Sequence, residues 1–196
     1  MDKNPKKGFR YWYENVFKYH YGKYAVVFLI FAIAIAFAVY ESVKNKTSYD
    51  FNMAIMATVS IPYEAVSELE QLVADTVGDL NGDGEVNINI QIMDYETAGM
   101  GKAGIIMAQD EYVVFIMDEN NSAIYKSNFN ELSDYGITPD RNIPTRVYIG
   151  DTPLMKQINP NIMFYACLAD WTTDGKGNKA WTEAGVKVIN AILDSK

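Results

Sequence analysis

The chain has 196 residues, one cysteine, one histidine and a formal net charge of −8 at pH 7. The lone Cys167 excludes an intrachain disulfide, and because the lone His20 lies near the N-terminus, the body of the chain lacks His-based zinc sites and Ser-His or Cys-His catalysis. An acidic balance with few basic clusters argues against nucleic acid or anionic lipid as its partner and suits cations, basic proteins or neutral ligands.

Residues 1–23 carry six basic side chains and two acids, a local balance of +4, which leaves −12 for the rest. Phe9, Tyr13, Val16 and Phe17 fall on one helical face, while Arg10, Glu14 and Lys18 repeat every four residues on another. The pattern predicts a short amphipathic helix in the headgroup region, with Trp12, Tyr19 and Tyr21 as interfacial contacts. A partner-binding segment is the alternative, but anchoring accounts for the same residues.

Residues 24–40 (YAVVFLIFAIAIAFAVY) contain no charge. A helix of this length rises about 26 Å, at the short end of the roughly 17 to 25 residues that span a bilayer. Tyrosines close both ends, as aromatic belts do, so the run is expected to be a transmembrane helix in contact with the lipid bilayer. Lys and Arg stay on the cytoplasmic side, which places the N-terminus inside and the acidic body outside. Ala36-Phe37-Ala38 has the spacing of a signal-peptide cleavage site, but the long charged leader and long apolar run favour an uncleaved anchor. Residues 41–50 read as a polar linker, and 51–196 as one extracytoplasmic domain of about 150 residues, enough to bury roughly 70% of its unfolded surface.

Within that domain, Phe51 to Val59 reads as a first strand. Pro62 fits the first turn of a helix in which Val66, Leu69, Val73 and Val77 recur until Gly78. Val86, Ile88, Ile90 and Ile92 alternate with polar residues, so a second strand follows. Thr97 to Gln109 is a weak helix, because Gly99, Gly101 and Gly104 each cost about 1 kcal/mol relative to alanine. Val113 to Met117 (VVFIM) is typical of a strand buried on both faces. Asn120 to Pro139 is polar, with a short helix around Phe129 to Tyr135. Arg146 to Ile149 and Ile162 to Ala169 are further strands. Thr182 caps a last helix whose buried face is Val186, Ile189, Ile192 and Leu193. The expected fold class is α/β: a single transmembrane helix plus one α/β sandwich with a mostly parallel or mixed sheet.

The most specific motif is Asp79-Leu80-Asn81-Gly82-Asp83-Gly84-Glu85-Val86-Asn87. Oxygen side chains at positions one, three and five, glycine at six and an aliphatic at eight match the front half of a calcium loop. Alternate residues of a tight turn aim their oxygens at one point, and glycine makes the sharp bend. Asp79, Asn81 and Asp83 would be side-chain ligands, Glu85 a backbone ligand and Asn87 a direct or water-mediated one, for a structural Ca²⁺ of low affinity. The stretch resembles EF-hand and dockerin loops over about a dozen residues. It departs from them at position twelve, where Ile90 replaces a bidentate acid; a strand starting after Glu85 would carry that position roughly 16 Å away. Glu70, Asp75, Asp94 and Glu96 are candidates for the missing ligands. A metal-free helix-to-strand turn is the other reading, since Asn-Gly and Asp-Gly are common turn formers.

Four strands run into an aspartate: Asp94, Asp118, Asp151 and Asp170. If the strands are parallel, these carboxylates share one sheet edge and could serve a cell-surface metal-dependent hydrolase or phosphoryl-transfer enzyme. Helix capping and turn formation are the plainer account, because no Gly-rich phosphate loop or nucleophile motif accompanies them. Asp174 to Asn178 reads as a turn flanked by Trp171 and Trp181, which either present an aromatic surface to a ligand or, as is commoner, lie buried beneath it.

With its leader FRYWYENVFKYHYGKY, its apolar run and its DLNGDG loop, the chain is similar to uncharacterised single-pass membrane-anchored proteins of Gram-positive bacteria. The resemblance implies a bacterial cell-surface location and no activity. The anchor, the charge split and the loop are what motivate reading the outer domain as one that binds an extracytoplasmic protein or small ligand.

Overall fold

The computed structural model describes residues 8–44, 48–94, 103–172 and 179–195. The chain divides into two compact units, Met1–Thr47 and Ser48–Lys196.

In the first unit one continuous helix comprises α1 (Phe9–Trp12), a π-helical stretch (Tyr13–Tyr21) and α2 (Gly22–Lys44). Its Phe9–Glu41 portion is long and apolar enough, by length and composition, to cross a membrane. The leader is helical, as its face pattern predicts; the expected polar linker needs correction, because its first residues are helical too. Nothing interrupts the helix between the leader and the apolar run, and Glu41 to Lys44 remain helical. The wider π turn brings residues five apart onto one side. Trp12 thus meets Phe17 at 5.5 Å between ring centroids, while Phe9, Tyr13, Phe17 and Tyr21 form a line of neighbouring rings. Arg10 pairs with Glu14 at 3.3 Å on the charged side, as the four-residue spacing required.

The second unit is an α/β fold around a five-stranded mixed sheet: β1 (Phe51–Ala57), β2 (Ile88–Asp94), β3 (Val114–Asp118), β4 (Val147–Tyr148) and β5 (Phe164–Leu168), in the order β2-β1-β3-β5-β4. β1 pairs in parallel with β2 and β3, whereas β5 runs antiparallel to both of its neighbours, β3 and β4. The crossover from β1 to β2 passes through a 3₁₀ turn (Tyr63–Val66) into α3 (Ser67–Val77), which stops at Gly78, whose φ of 67° suits glycine.

Alternation along the strands separates two cores. Phe51, Met53, Ile55, Val114, Ile116, Phe164, Ala166 and Leu168 face α3, α6 (Pro153–Ile158) and α7 (Lys179–Asp194). Ala54, Met56, Phe115, Met117 and Cys167 face the opposite way, toward Tyr112, Phe129 and α4, the helix at 103–108. Burial on both faces is what the unbroken apolar run VVFIM foretold. The Cys167 thiol is fully buried, and desolvation pushes its pKa far up, so it is an inert packing group.

Several boundaries shift. The helix α5 (Glu119–Ile124) has no apolar stripe to announce it; Asp118 caps it by accepting the Asn121 N–H at 2.8 Å. The short helix expected around Phe129 to Tyr135 is a 3₁₀ turn over Leu132–Tyr135. Thr182 is not a cap: α7 begins a turn earlier, at Lys179, and Thr182 lies buried inside it. Trp181 stacks on Phe51 at 6.3 Å, and Trp171 donates to the Tyr112 carbonyl at 2.7 Å, so both serve packing. Gly99 and Gly101, and the turn Asp174 to Asn178, lie outside the described residues.

At Gly185, a buried position of α7, the helix lies close against Leu168 and Val113. A Cβ there would stand 2.7 Å from Leu168 Cδ1 and 2.8 Å from the stiff Val113 Cγ1. Alanine gains about 1 kcal/mol of helix propensity, but overpacking costs about 1–3 kcal/mol. We therefore expect Gly185→Ala to lower the urea midpoint with an unchanged m-value; a raised midpoint would show that the sheet yields there.

Candidate functional site

The loop between α3 and β2 holds the sequence-predicted site residues Asp79, Asn81, Asp83, Glu85 and Asn87. Its winding follows from short polar side chains that bond forward to their own backbone. Asp79 accepts the N–H of Gly82 at 2.6 Å through Oδ1 and that of Gly84 at 2.9 Å through Oδ2. Asn81 Oδ1 accepts from Asp83 N at 2.8 Å, and Asp83 Oδ1 from Glu85 N at 2.9 Å. Gly82 and Gly84, with φ of 77° and 90°, supply the reversals that side-chain-bearing residues resist. Asp79 to Glu85 are exposed and Asn87 is half-buried. Each of these oxygens uses one lone pair on an N–H and retains another, so the winding suits a cation and equally suits a metal-free turn.

The residue that sequence reasoning missed is Asp50, read there as linker. It is fully buried at the entry to β1. Its Oδ1 accepts the N–H groups of Leu80 at 2.9 Å and Asn81 at 3.0 Å, and its Oδ2 accepts that of Asn87 at 2.8 Å. Its own N–H donates to the Asn87 carbonyl at 2.8 Å, continuing the β1–β2 ladder by one rung. Asn81 Nδ2 lies 3.4 Å from Ser48 Oγ. Ile90, at position twelve of the loop, is a core residue of β2 opposite Met53.

Of the candidates for further ligands, Glu70 accepts the Tyr63 hydroxyl at 3.1 Å and Asp75 the Gln71 amide at 2.8 Å. Glu96 lies outside the described residues. Among the described residues no group of three or more His, Cys, Asp or Glu is gathered as a metal site requires.

The strand-end aspartates do not assemble as the parallel reading required. Because β5 runs antiparallel, Asp170 follows it at the edge opposite to the ends of β1, β2 and β3. Asp118 is committed to structure, its second oxygen accepting Thr58 N at 2.8 Å. Asp151 pairs with Lys156 at 3.2 Å in the open.

Beside this edge Arg146, almost fully buried, donates to Ser122 Oγ at 2.8 Å, pairs with Asp140 at 3.4 Å and lies 3.8 Å above the Tyr165 ring centroid. The Asn121 amide, Thr145 Oγ1 and Arg146 Nε are buried there without hydrogen-bond partners among the described residues.

Compared with protein-family models, with curated proteins and with solved structures, the chain matches none.

The Asn142 N–H, at 2.7 Å, and then the Arg146 guanidinium hold the Asp140 carboxyl below the usual carboxylate range. A depressed native pKa stabilises the fold fully above the unfolded value of about 4, and this is lost as pH falls through the native value. Asp140→Asn is expected to be less stable than wild type near neutrality and to converge on it in acid. Urea melts at stepped pH measure this, and a pH-independent gap would contradict it.

Proposed function

We propose that this chain is a membrane-anchored extracytoplasmic binding or interaction domain whose α3–β2 loop takes a structural calcium ion of low affinity. The observation that carries the calcium reading is the way Asp79 closes the loop. With both oxygens on the N–H groups of Gly82 and Gly84, it winds the chain so that Asp79, Asn81 and Asp83 recur at alternate positions of one tight turn. Asp79, Asn81, Asp83, the Glu85 carbonyl and Asn87 are the proposed donors, with water completing the shell. Few formal charges put the affinity on the order of 10⁻⁴ to 10⁻³ M, as in extracellular modules.

The anchoring part of the reading is supported by the long apolar helix and by the charge asymmetry across it. Residues 24–40 cross the bilayer with the N-terminus cytoplasmic, in the manner of the Gram-positive surface proteins that the chain resembles. The partner is an extracytoplasmic protein or small ligand, and the acidic body disfavours nucleic acid.

Calorimetric titration of the full-length chain in detergent is expected to show calcium binding that Asp83→Ala abolishes. Free calcium at about ten times Kd should stabilise the folded unit by about 1.4 kcal/mol. Absence of both heat and thermal stabilisation at millimolar calcium would end the calcium reading. For location, protease added to intact cells should remove the body of the chain, and a C-terminal tag that stays protected would overturn the topology.

A further inference from the structure

The Asp50 carboxylate is buried at the start of the central strand, and the ion pairs among the described residues leave it without a cationic partner. A buried charge of this kind is costly unless hydrogen bonds compensate it. Three backbone N–H groups do so, and all belong to the candidate calcium loop, at its positions two, three and nine. The bonds grip the loop at both ends, so its path is fixed by a residue some thirty positions earlier in the chain.

We infer that Asp50 is the positioning residue of this loop: it shapes the backbone before any cation arrives and ties the loop to residues 48–50, the stretch leading from the apolar helix into β1. Fully buried and hydrogen-bonded to the loop's backbone N–H groups, its carboxylate is not among the proposed donors. Asp50 therefore acts through the loop and not on the ion. It also takes over part of the work that a twelfth-position acid does elsewhere. Ile90 is committed to the core, so the loop is closed from the β1 side instead of from its own distal end. The inference about loop shape stands on these bonds alone. Its extension to affinity rests on the calcium reading above.

Two consequences separate this role from a general packing role. With calcium chelated, the amides of Leu80, Asn81 and Asn87 are held by Asp50 and should exchange slowly, although Leu80 and Asn81 are exposed residues. With calcium present, a loop that is already shaped binds without an ordering cost. Loss of Asp50 should therefore weaken affinity while leaving the proposed donor set intact. Outer-shell partners of metal sites are typically worth about 10- to 100-fold in affinity.

The test uses the full-length protein in detergent, with amide exchange followed in chelator and calcium affinity measured by titration, for wild type and Asp50→Asn. The amide replacement preserves size but sets an NH₂ group against an N–H that the carboxylate accepted. Wild type is expected to protect the three amides in chelator; Asp50→Asn should lose that protection and bind calcium at least about tenfold more weakly. Fast exchange of these amides in chelated wild type, with protection appearing only on adding calcium, would overturn the inference, and this arm holds even if Asp50→Asn does not fold. Equal calcium affinities in the two proteins would overturn the link to the ion. Protected amides in a wild type that binds no calcium would uphold Asp50 as the organiser of the turn and remove the calcium reading instead.

Discussion

The burial of β1 is the constraint on which the folded unit depends. It lies between β2 and β3 with helices over both faces, and every residue from Phe51 to Ala57 except Asn52 is buried. Phe51, Met53, Ile55 and Met56 are fully removed from water, and side chains of this size contribute about 1.5–3 kcal/mol each. Such a strand needs both edges paired and both faces covered, because an unpaired backbone group inside costs as much as the hydrogen bond it forgoes. The β1–α3–β2 crossover supplies one edge and one face, and β3 supplies the other edge. The chain that enters β1 must also be polar to reach water, yet it passes under the α3–β2 loop. Asp50 reconciles the two because its buried carboxylate draws its hydrogen bonds from that loop.

What was legible in the sequence follows from which signals are local. The run VVFIM announced β3 because burial on both faces leaves no room for polar residues, and Gly78 announced the end of α3 because its left-handed conformation disfavours a side chain. Direction was not legible. Phe164 to Leu168 is apolar whichever way it runs, and only the pairing with β3 reveals that it is antiparallel. That one reversal removes Asp170 from the edge where the other strand ends lie. The helix α5 was hidden for a related reason: its sequence, ENNSAI, has no hydrophobic period, and the helix is held by the Asp118 cap and by Arg146, which bonds to Ser122 and to the Glu119 carbonyl.

The candidate site was legible in its turn chemistry and hidden in its support. Asp79, Asn81, Asp83 and the two glycines are informative because each bonds or bends within a few residues of itself. Asp50 sits in a stretch whose composition reads as linker, and its partners lie some thirty residues away, so no local pattern marks it. Composition says that a segment is polar; only the fold says whether that polarity is spent on water or on buried N–H groups.

The same loop shows how sheet and turn constrain each other. A complete calcium loop needs an acid at position twelve, which requires the chain to stay wound beyond position nine. Here the chain leaves the turn at Asn87 and is paired as a strand from Ile88, opposite Phe51. Every residue past that point alternates between faces, so Ile90 must be apolar for the core to close around Met53. An acid at this position would place an unpaired carboxylate among buried side chains, at a cost far above any gain from one more ligand. Early entry into β2 thus excludes distal closure of the loop. It also brings the Asn87 N–H and carbonyl into register with Asp50, where closure from the β1 side becomes available.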